Sequence, residues 1–376
     1  MKVLHLISGG DTGGAKTHII NLCSKLKDMV TLKIICFMYG SFYDDVKKAG
    51  IDILVFEQKN RLNIGVINKI VELINNEGYQ IIHCHGARAN FIGMLLKKRM
   101  PNLIYITTLH SDFDLDFQDN LYKRFIFASL NKFSLKKMDY YVTVGSPLVE
   151  KLKSFGVNQD KIFVMYNGYD YDIKISFKGK NQFLSQYISP NFFKNKIIIG
   201  NLSRLYKVKG LDVFINAANV VLKKNKNVIF LIGGEGPQKE YLKDLINGLS
   251  VHENVFLLGE IKNPYDFFNA IDINIISSYS ETFPYSILES TMLEKCCISS
   301  SVGSIPDLIE DNINGLLFAT GDYNMLAQKI LYLIENDHLI EQFGKKLSQK
   351  AKIMFSSTAM AMRQLEIYNQ IINLKK

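Results

Sequence analysis

Two glutamates, Glu281 and Glu289, stand eight positions apart in Ser277-Ser278-Tyr279-Ser280-Glu281-Thr282-Phe283-Pro284-Tyr285-Ser286-Ile287-Leu288-Glu289. An apolar run precedes them and Pro284 is suited to open a helix, so Glu281 falls in a loop and Glu289 on the helix that follows. That spacing lets one carboxylate take hydroxyls at the reacting end of a ligand while the other takes hydroxyls at its far end, a division that suits a sugar nucleotide. Standing alone, the pair would read as a helix-capping acid and an ordinary helix residue. Upstream, Ser203-Arg204-Leu205-Tyr206-Lys207-Val208-Lys209-Gly210 also lies between an apolar strand and a helix pattern. With Arg204 ending the strand and Lys209 opening the helix, two cations and a helix N-terminus can converge on one anion, for which a pyrophosphate is the natural occupant. Solvated surface cations are the competing interpretation. It fits a lysine better than one of only six arginines among 45 basic residues.

Other loops carry glycine or histidine. Gly9-Gly10-Asp11-Thr12-Gly13-Gly14-Ala15 joins the first strand to a helix, and its glycines would let backbone approach a phosphate or sugar, or would simply make a tight turn. Gly233-Gly234-Glu235-Gly236-Pro237 sits in the same position after a later strand and can frame a base or ribose. His83-Cys84-His85 ends one strand and Thr107-Thr108-Leu109-His110 the next. Alternation puts His83 and His85 on one face, but no carboxylate or cysteine stands at ligand spacing, so no metal site is expected and His83 reads as a satisfied buried imidazole. His110, at a strand's end, is the better ligand contact.

Elements of alternating type must position these residues. Short apolar runs at about 2–8, 31–37, 51–57, 81–85, 103–109 and 140–145 alternate with amphipathic helix-length segments, the pattern of a parallel sheet in an α/β fold. The rhythm lapses over polar residues near 172–195 and resumes with strands at 196–203, 228–233, 255–258, 273–277 and 297–300. The expectation is two Rossmann-like domains facing across a cleft: residues 1–172, a linker at 173–195, and residues 196–356. A last helix, 357–376, would cross back to the first domain. Ligands of open α/β sheets sit beyond the carboxyl ends of the strands, where all the residues above fall.

Composition narrows the functions. The chain has 376 residues, 47% hydrophobic and 22% charged with 7 Pro, enough for two cores and unlike a disordered polymer. No apolar run reaches the ~18 residues of a spanning helix, and the start MKVLHLISGG lacks a signal peptide's core and cleavage site, so a cytoplasmic protein is expected. Five cysteines without a CxxC pair suggest neither disulfides nor zinc. The net charge of +9 lies almost wholly in residues 1–190, with 25 basic against 17 acidic residues; residues 191–376 hold 20 against 19. In 117–138, Lys123, Arg124, Lys132, Lys136 and Lys137 interleave with Phe125, Phe127, Phe133 and Leu135. Such a segment can lie on the anionic inner face of the membrane; a core helix with a solvated cationic face stays open. Nucleic-acid binding would rest on charge alone and is not expected.

In order along the chain, GGxxGGA, Arg204 with Lys209-Gly210, Gly236-Pro237, and Glu281 with Glu289 resemble the retaining glycosyltransferases of family 4, which have the GT-B fold. NGYD at 167–170 and DNINGLLF at 311–318 also look like that family's segments, and the resemblance runs essentially end to end. It implies that Arg204 and Lys209 hold the donor diphosphate, Glu281 the donor sugar's hydroxyls and Glu289 the ribose. It also implies that Gly13 and Gly14 serve the phosphate or acceptor side, His110 the sugar near the reacting carbon, and Gly236, Pro237, Thr282, Phe283 and Pro284 the donor. Two departures stand out: Leu293-Glu294-Lys295-Cys296-Cys297 where the family has small residues and G-x-P, and Gly303-Ser304-Ile305-Pro306-Asp307 where it has GGxPE. Asp114-Leu115-Asp116 imitates the metal-holding DxD of the other large glycosyltransferase fold, but lies far in sequence from the diphosphate residues.

The resemblance therefore implies transfer from a nucleotide-sugar, a UDP-sugar in the first instance, to a lipid-linked or surface-polysaccharide glycan, with no metal and no cofactor. Fixed cations and a helix N-terminus can stabilise the leaving diphosphate without a metal. The alternative is a catalytically silent GT-B subunit that stabilises a partner transferase. An epimerase acting on a UDP-sugar is disfavoured by Glu281 and Glu289, and a nicotinamide enzyme by the missing GxGxxG fingerprint.

Overall fold

The computed structural model describes residues 1–10, 13–58, 65–111 and 129–375. The chain forms two compact units, Met1–Asp170 with Ser356–Lys376, and Tyr171–Phe355.

In the first unit β1 (Lys2–Ile7), β2 (Thr31–Cys36), β3 (Ile53–Val55), β4 (Ile81–His85), β5 (Ile104–Leu109), β6 (Tyr140–Thr143) and β7 (Ile162–Val164) make a parallel sheet in the order β3-β2-β1-β4-β5-β6-β7. Helices α1 (Gly14–Leu26), α2 (Ser41–Lys48), α3 (Gly65–Glu77), α4 (Gly86–Arg99), α5 (129–135) and α6 (Pro147–Ser154) connect the strands. Because helices cover both faces, the central strands are buried almost throughout and mostly apolar, with His5 in β1, His83 and His85 in β4 and Thr107 and Thr108 in β5 as their buried polar members. Leu4 and Leu6 pack on the α3 and α4 side, whereas Val3 and Ile7 pack on the α1 side.

The second unit repeats the plan with β8 (Ile197–Leu202), β9 (Val228–Gly233), β10 (Val255–Gly259), β11 (Ile273–Ile276), β12 (Cys296–Ser300) and β13 (Leu316–Phe318), in the order β10-β9-β8-β11-β12-β13. Its helices are α7 (Lys180–Leu184), α8 (Pro190–Phe193), α9 (Leu211–Lys224), α10 (Lys239–Gly248), α11 (Pro264–Ala270), α12 (Tyr285–Thr291), α13 (Ile305–Leu308), α14 (Tyr323–Glu335) and α15 (His338–Met354). All five cysteines are buried thiols.

Two features depart from the sequence pattern. Strands β7 and β13 are three-residue edges, too short to give a period. Residues 173–195, expected as a linker, contain α7 and α8 and bury Phe183, Leu184, Ile188 and Phe193 against Ile198, Ile229 and Phe267. Each such side chain contributes roughly 1.5–3 kcal/mol of burial, which ties the segment to the second unit. The final helix α16 (Ser357–Lys375) belongs to the first unit. It sets Met360, Ala361, Ile367, Tyr368 and Ile371 into the core beside α1, and the Ser357 N–H donates to the Tyr169 carbonyl at 2.8 Å.

Candidate active site

In the second unit the loops after β8, β9 and β11 meet at the carboxyl edge of the sheet. The Leu205 N–H donates to the Glu235 carbonyl at 2.9 Å and the Tyr279 N–H to the Val208 carbonyl at 2.8 Å. Between β8 and α9 the chain makes a single 3-10 turn, Lys207–Lys209, and then Gly210 in the left-handed region at φ 59°. A Cβ on Gly210 would lie 2.1 Å from the Ser277 carbonyl oxygen, so only glycine lets these loops touch. Lys209 therefore sits in the turn before α9 rather than opening the helix, and Arg204 lies two residues past the end of β8.

Lys209 and Glu281 are joined directly, Nζ to Oε1 at 2.6 Å, with side chains only 20% and 12% exposed. The Ser278 hydroxyl donates to the same carboxylate oxygen at 2.7 Å. The carboxylate is thus held from two sides, and removing either charge would leave the other partly desolvated and unpaired. Arg204 is exposed, its guanidinium 5.2 Å from the Tyr206 ring centroid.

Glu281 does not cap the helix that follows; Pro284 occupies the N-cap position of α12. Glu289, one turn into that helix, is half-buried, and burial pushes its carboxyl up to about 7. Phe283 is buried and stacked on Phe355, centroids 5.0 Å apart, so its side chain is committed to packing. Thr282 and Pro284 are half-buried beside it. The loop after β12 closes on this stretch: a Cβ on Gly303, at φ 60°, would meet the Glu281 carbonyl oxygen at 2.1 Å, and the Ser304 N–H donates to the Thr282 carbonyl at 2.9 Å. Ser304 is fully buried, so its hydroxymethyl replaces a glycine without intruding on the open side of the loop. Gly236 is half-buried, while Pro237 is exposed and lies ahead of α10, whose N-cap is Gln238.

In the first unit Gly13, at φ 77°, is the exposed N-cap of α1, and Gly14 is that helix's first residue. Asp11 and Thr12 of the glycine loop, the Asp114-Leu115-Asp116 segment and residues 117–128 of the basic stretch lie outside the described residues. Of the remainder of that stretch, Leu135 is buried, Phe133 is exposed, and Lys136 lies over the Phe155 ring.

His110 follows β5 and does not stand alone. His85 Nδ1 lies 3.2 Å from His110 Nε2, and His85 Nε2 lies 3.0 Å from His5 Nδ1. His83 bonds Tyr368 through Nδ1 at 2.6 Å and Thr108 through Nε2 at 2.7 Å, the satisfied buried imidazole expected of it. The ring of His18, from α1, meets His110 edge-on with centroids 4.6 Å apart. Its Nδ1 faces Asn167 Oδ1 at 2.9 Å. Burial holds all five imidazoles below their ordinary range, His5 at about 3 and His18 at about 4. They are neutral at physiological pH. The sequence pattern misses His5, His18 and Tyr368; the available signal for His5 was the β1–β4 pairing that such sheets share, which sets His5 beside His83.

Residues 12–173 match the family described as Glycosyltransferase Family 4, and residues 186–352 that described as Glycosyl transferases group 1. The poly(ribitol-phosphate) alpha-N-acetylglucosaminyltransferase of Staphylococcus aureus (strain COL) is 30% identical over 53% of this chain, an alignment that spans only 40% of that relative's length. The N,N'-diacetylbacillosaminyl-diphospho-undecaprenol alpha-1,3-N-acetylgalactosaminyltransferase of Campylobacter jejuni is 25% identical over 92% of this chain and 93% of its own. In fold the chain is similar to the crystal structure of Anabaena Alr3699/HepE in complex with UDP, with a TM-score of 0.81 at 20% identity over 98% of this chain and 100% of that one. With each of its two parallel-sheet units matched, the chain belongs to the group 1, family 4 glycosyltransferases of the GT-B fold.

Proposed function

We propose that the chain transfers a sugar from a nucleotide-sugar, a UDP-sugar in the first instance, to a glycan or lipid-linked acceptor, with retention at the anomeric carbon and without a metal ion. The observation that carries this is the Lys209–Glu281 pair. It keeps a cation and a carboxylate at one spot on the carboxyl edge of the second unit's sheet. A donor whose diphosphate reaches the ammonium then brings its sugar hydroxyls to the carboxylate.

In this reading the second unit takes the donor. Arg204, Lys209 and the amides at the start of α9 offset the charge that builds on the leaving diphosphate as the anomeric bond breaks. Glu281 orients the sugar, Glu289 accepts from the ribose hydroxyls, and the backbone at Gly236, Pro237, Thr282, Phe283 and Pro284 frames the nucleotide. The first unit supplies the acceptor side, with Gly13 and Gly14 at the N-terminus of α1 and His110 near the reacting carbon. The acceptor hydroxyl would attack from the face the diphosphate leaves. Support for UDP comes from the similar Anabaena structure, which holds it, and support for the acceptor class from the names of the Staphylococcus and Campylobacter relatives. No helix among the described residues is long and apolar enough to cross a membrane. Contact with a membrane-borne acceptor is assigned to the basic stretch 117–138, at the inner face of the membrane.

The test is a donor screen on the purified chain. UDP- and GDP-sugars are offered without acceptor, with and without EDTA, and both thermal stabilisation and slow donor hydrolysis are recorded. Stabilisation by one nucleotide-sugar, undiminished by EDTA, is the expected result. Indifference to every nucleotide-sugar would remove the donor assignment, and a response abolished by EDTA would remove metal independence.

A further inference from the structure

His5, His83 and His85 each bring one ring nitrogen within 4.8 Å of the others, fully buried, an arrangement that invites a metal ion. The orientation of the rings decides against it. With Zn–N bonds of about 2.0–2.1 Å, tetrahedral ligands lie about 3.4 Å apart with their lone pairs converging on the ion, and nitrogens that point straight at each other could share an ion only about 4 Å apart. His5 Nδ1 and His85 Nε2 are 3.0 Å apart. Their ring centroids, 5.3 Å apart at 11°, exceed that gap by two ring radii, so the bond runs along the line joining two nearly coplanar rings. His85 and His110 repeat the geometry, with 3.2 Å between nitrogens and 5.5 Å between centroids. Such gaps hold a proton.

The contacts form one line: Thr108 Oγ1, His83, the Tyr368 hydroxyl, His5, His85 and His110. A neutral imidazole donates from one nitrogen and accepts at the other, so one direction fixes every bond from His5 to His110, and the Tyr368 hydroxyl has a single proton to give to one of its two neighbours. Burial keeps these rings neutral. The Tyr368 hydroxyl is the point where direction can be read. Its oxygen lies 2.6 Å from His83 Nδ1 and 3.4 Å from His5 Nε2. Of the two contacts on this one oxygen, the hydroxyl gives its single proton to the shorter, so Tyr368 donates to His83, whose Nε2–H donates in turn to Thr108 Oγ1 at 2.7 Å, and His5 Nε2–H donates to Tyr368. It follows that His85 Nε2–H donates to His5, and His110 Nε2–H to His85.

We infer that Tyr368, on the C-terminal helix α16, is a positioning residue that holds His110 as the Nε2–H tautomer and leaves a lone pair on His110 Nδ1. Where His110 faces the transferred sugar, as the proposed function has it, that lone pair accepts a hydroxyl hydrogen. A donor lacking the hydroxyl would leave the nitrogen unpaired. The inference depends on the proposed function only for this last role.

The full chain, labelled with 15N-histidine, reports each tautomer by two-bond 15N–1H correlations without any substrate. In the unmodified protein His110 should favour Nε2–H by about tenfold or more, the ratio that one well-made hydrogen bond sustains. In Tyr368→Phe the ratio should fall towards even at His5, His85 and His110. A His110 that keeps its preference in Tyr368→Phe overturns the inference, and so does a dominant Nδ1–H in the unmodified protein, a measurement that stands even if the variant does not fold. Addition of UDP-glucose and of UDP-N-acetylglucosamine then reads the sugar contact separately. His110 resonances that ignore a bound donor would count against the proposed function while the tautomer result stands on its own.

Discussion

Acidification should act on the two units in opposite directions. In the first unit His5 and His18 are completely buried, and burial lowers them from 6.5 to about 3 and about 4. Unfolded, each imidazole would take a proton near 6.5 that the folded unit refuses. The unfolded state therefore binds more protons below that pH, and folding stability falls as pH drops from about 6.5 towards the folded values. Between about pH 8 and about pH 5 each such imidazole withdraws about 2 kcal/mol. His83, His85 and His110 shift the same way. The second unit contains Glu289, raised by burial from 4.5 to about 7. A carboxyl raised on folding costs stability while ionised, and acidification through about 7 returns up to about 2.5 kcal/mol by about pH 5, less as water reaches the half-buried group. Hydrogen exchange followed by mass spectrometry separates the units, since β4 and β5 report on one and β8 and β9 on the other. After correction for the pH dependence of exchange itself, β4 and β5 should lose at least about 2 kcal/mol of protection on going to about pH 5. Strands β8 and β9 should hold theirs or gain. Equal losses in both units, or a change below about 1 kcal/mol in β4 and β5, would refute burial as what governs these groups.

Three further outcomes are expected. Arg204→Ala, at an exposed side chain, should lower turnover by about 10²–10³ with the melting temperature nearly kept. Lys209→Ala should lower turnover as much while also lowering the melting temperature, because it leaves the Glu281 carboxylate unpaired; near-normal rates in both would remove the diphosphate assignment. UDP affinity, read by calorimetry, should rise with pH through about 7 as Glu289 ionises and becomes a better acceptor for ribose hydroxyls. Glu289→Gln should flatten that profile and cost about 1–3 kcal/mol at high pH, whereas Glu281→Gln should spare UDP and lose turnover; equal UDP losses in the two variants would dissolve the division of labour. Gly303→Ala sets a Cβ on the Glu281 carbonyl in a left-handed backbone, so it should destabilise the second unit by about 2 kcal/mol or more, and an unchanged thermal transition would contradict the packing described.

Both sheets are legible in the sequence because parallel strands covered on two faces are buried along their length and so are short, mostly apolar runs. The runs at 81–85 and 228–233 coincide with β4 and β9 as observed. Legibility ends where an element is too short to carry a period, as at β7 and β13, or where burial is achieved by scattered residues. Phe183, Leu184, Ile188 and Phe193 follow no helical stripe, because α7 and α8 are single turns that each contribute one or two anchors. Polar neighbours hide them.

The site divides along the same line. Residues just beyond strand ends are legible because topology alone puts them where ligands bind, which is why Arg204, Lys209, Glu281 and His110 fall at carboxyl edges in the structure. Side-chain direction is a separate matter. Phe283 and Glu281 are two residues apart in one loop, yet one ring packs on Phe355 and one carboxylate meets Lys209. The histidine line lies furthest from sequence reasoning, because its parts come from β1, β4, β5 and a helix whose Tyr368 is 285 positions from His83. Each member alone looks like an ordinary core residue. Only the register of β1 on β4 and the docking of α16 turn them into one hydrogen-bonded line that ends on His110. A change at Tyr368 can therefore act on His110 without touching it.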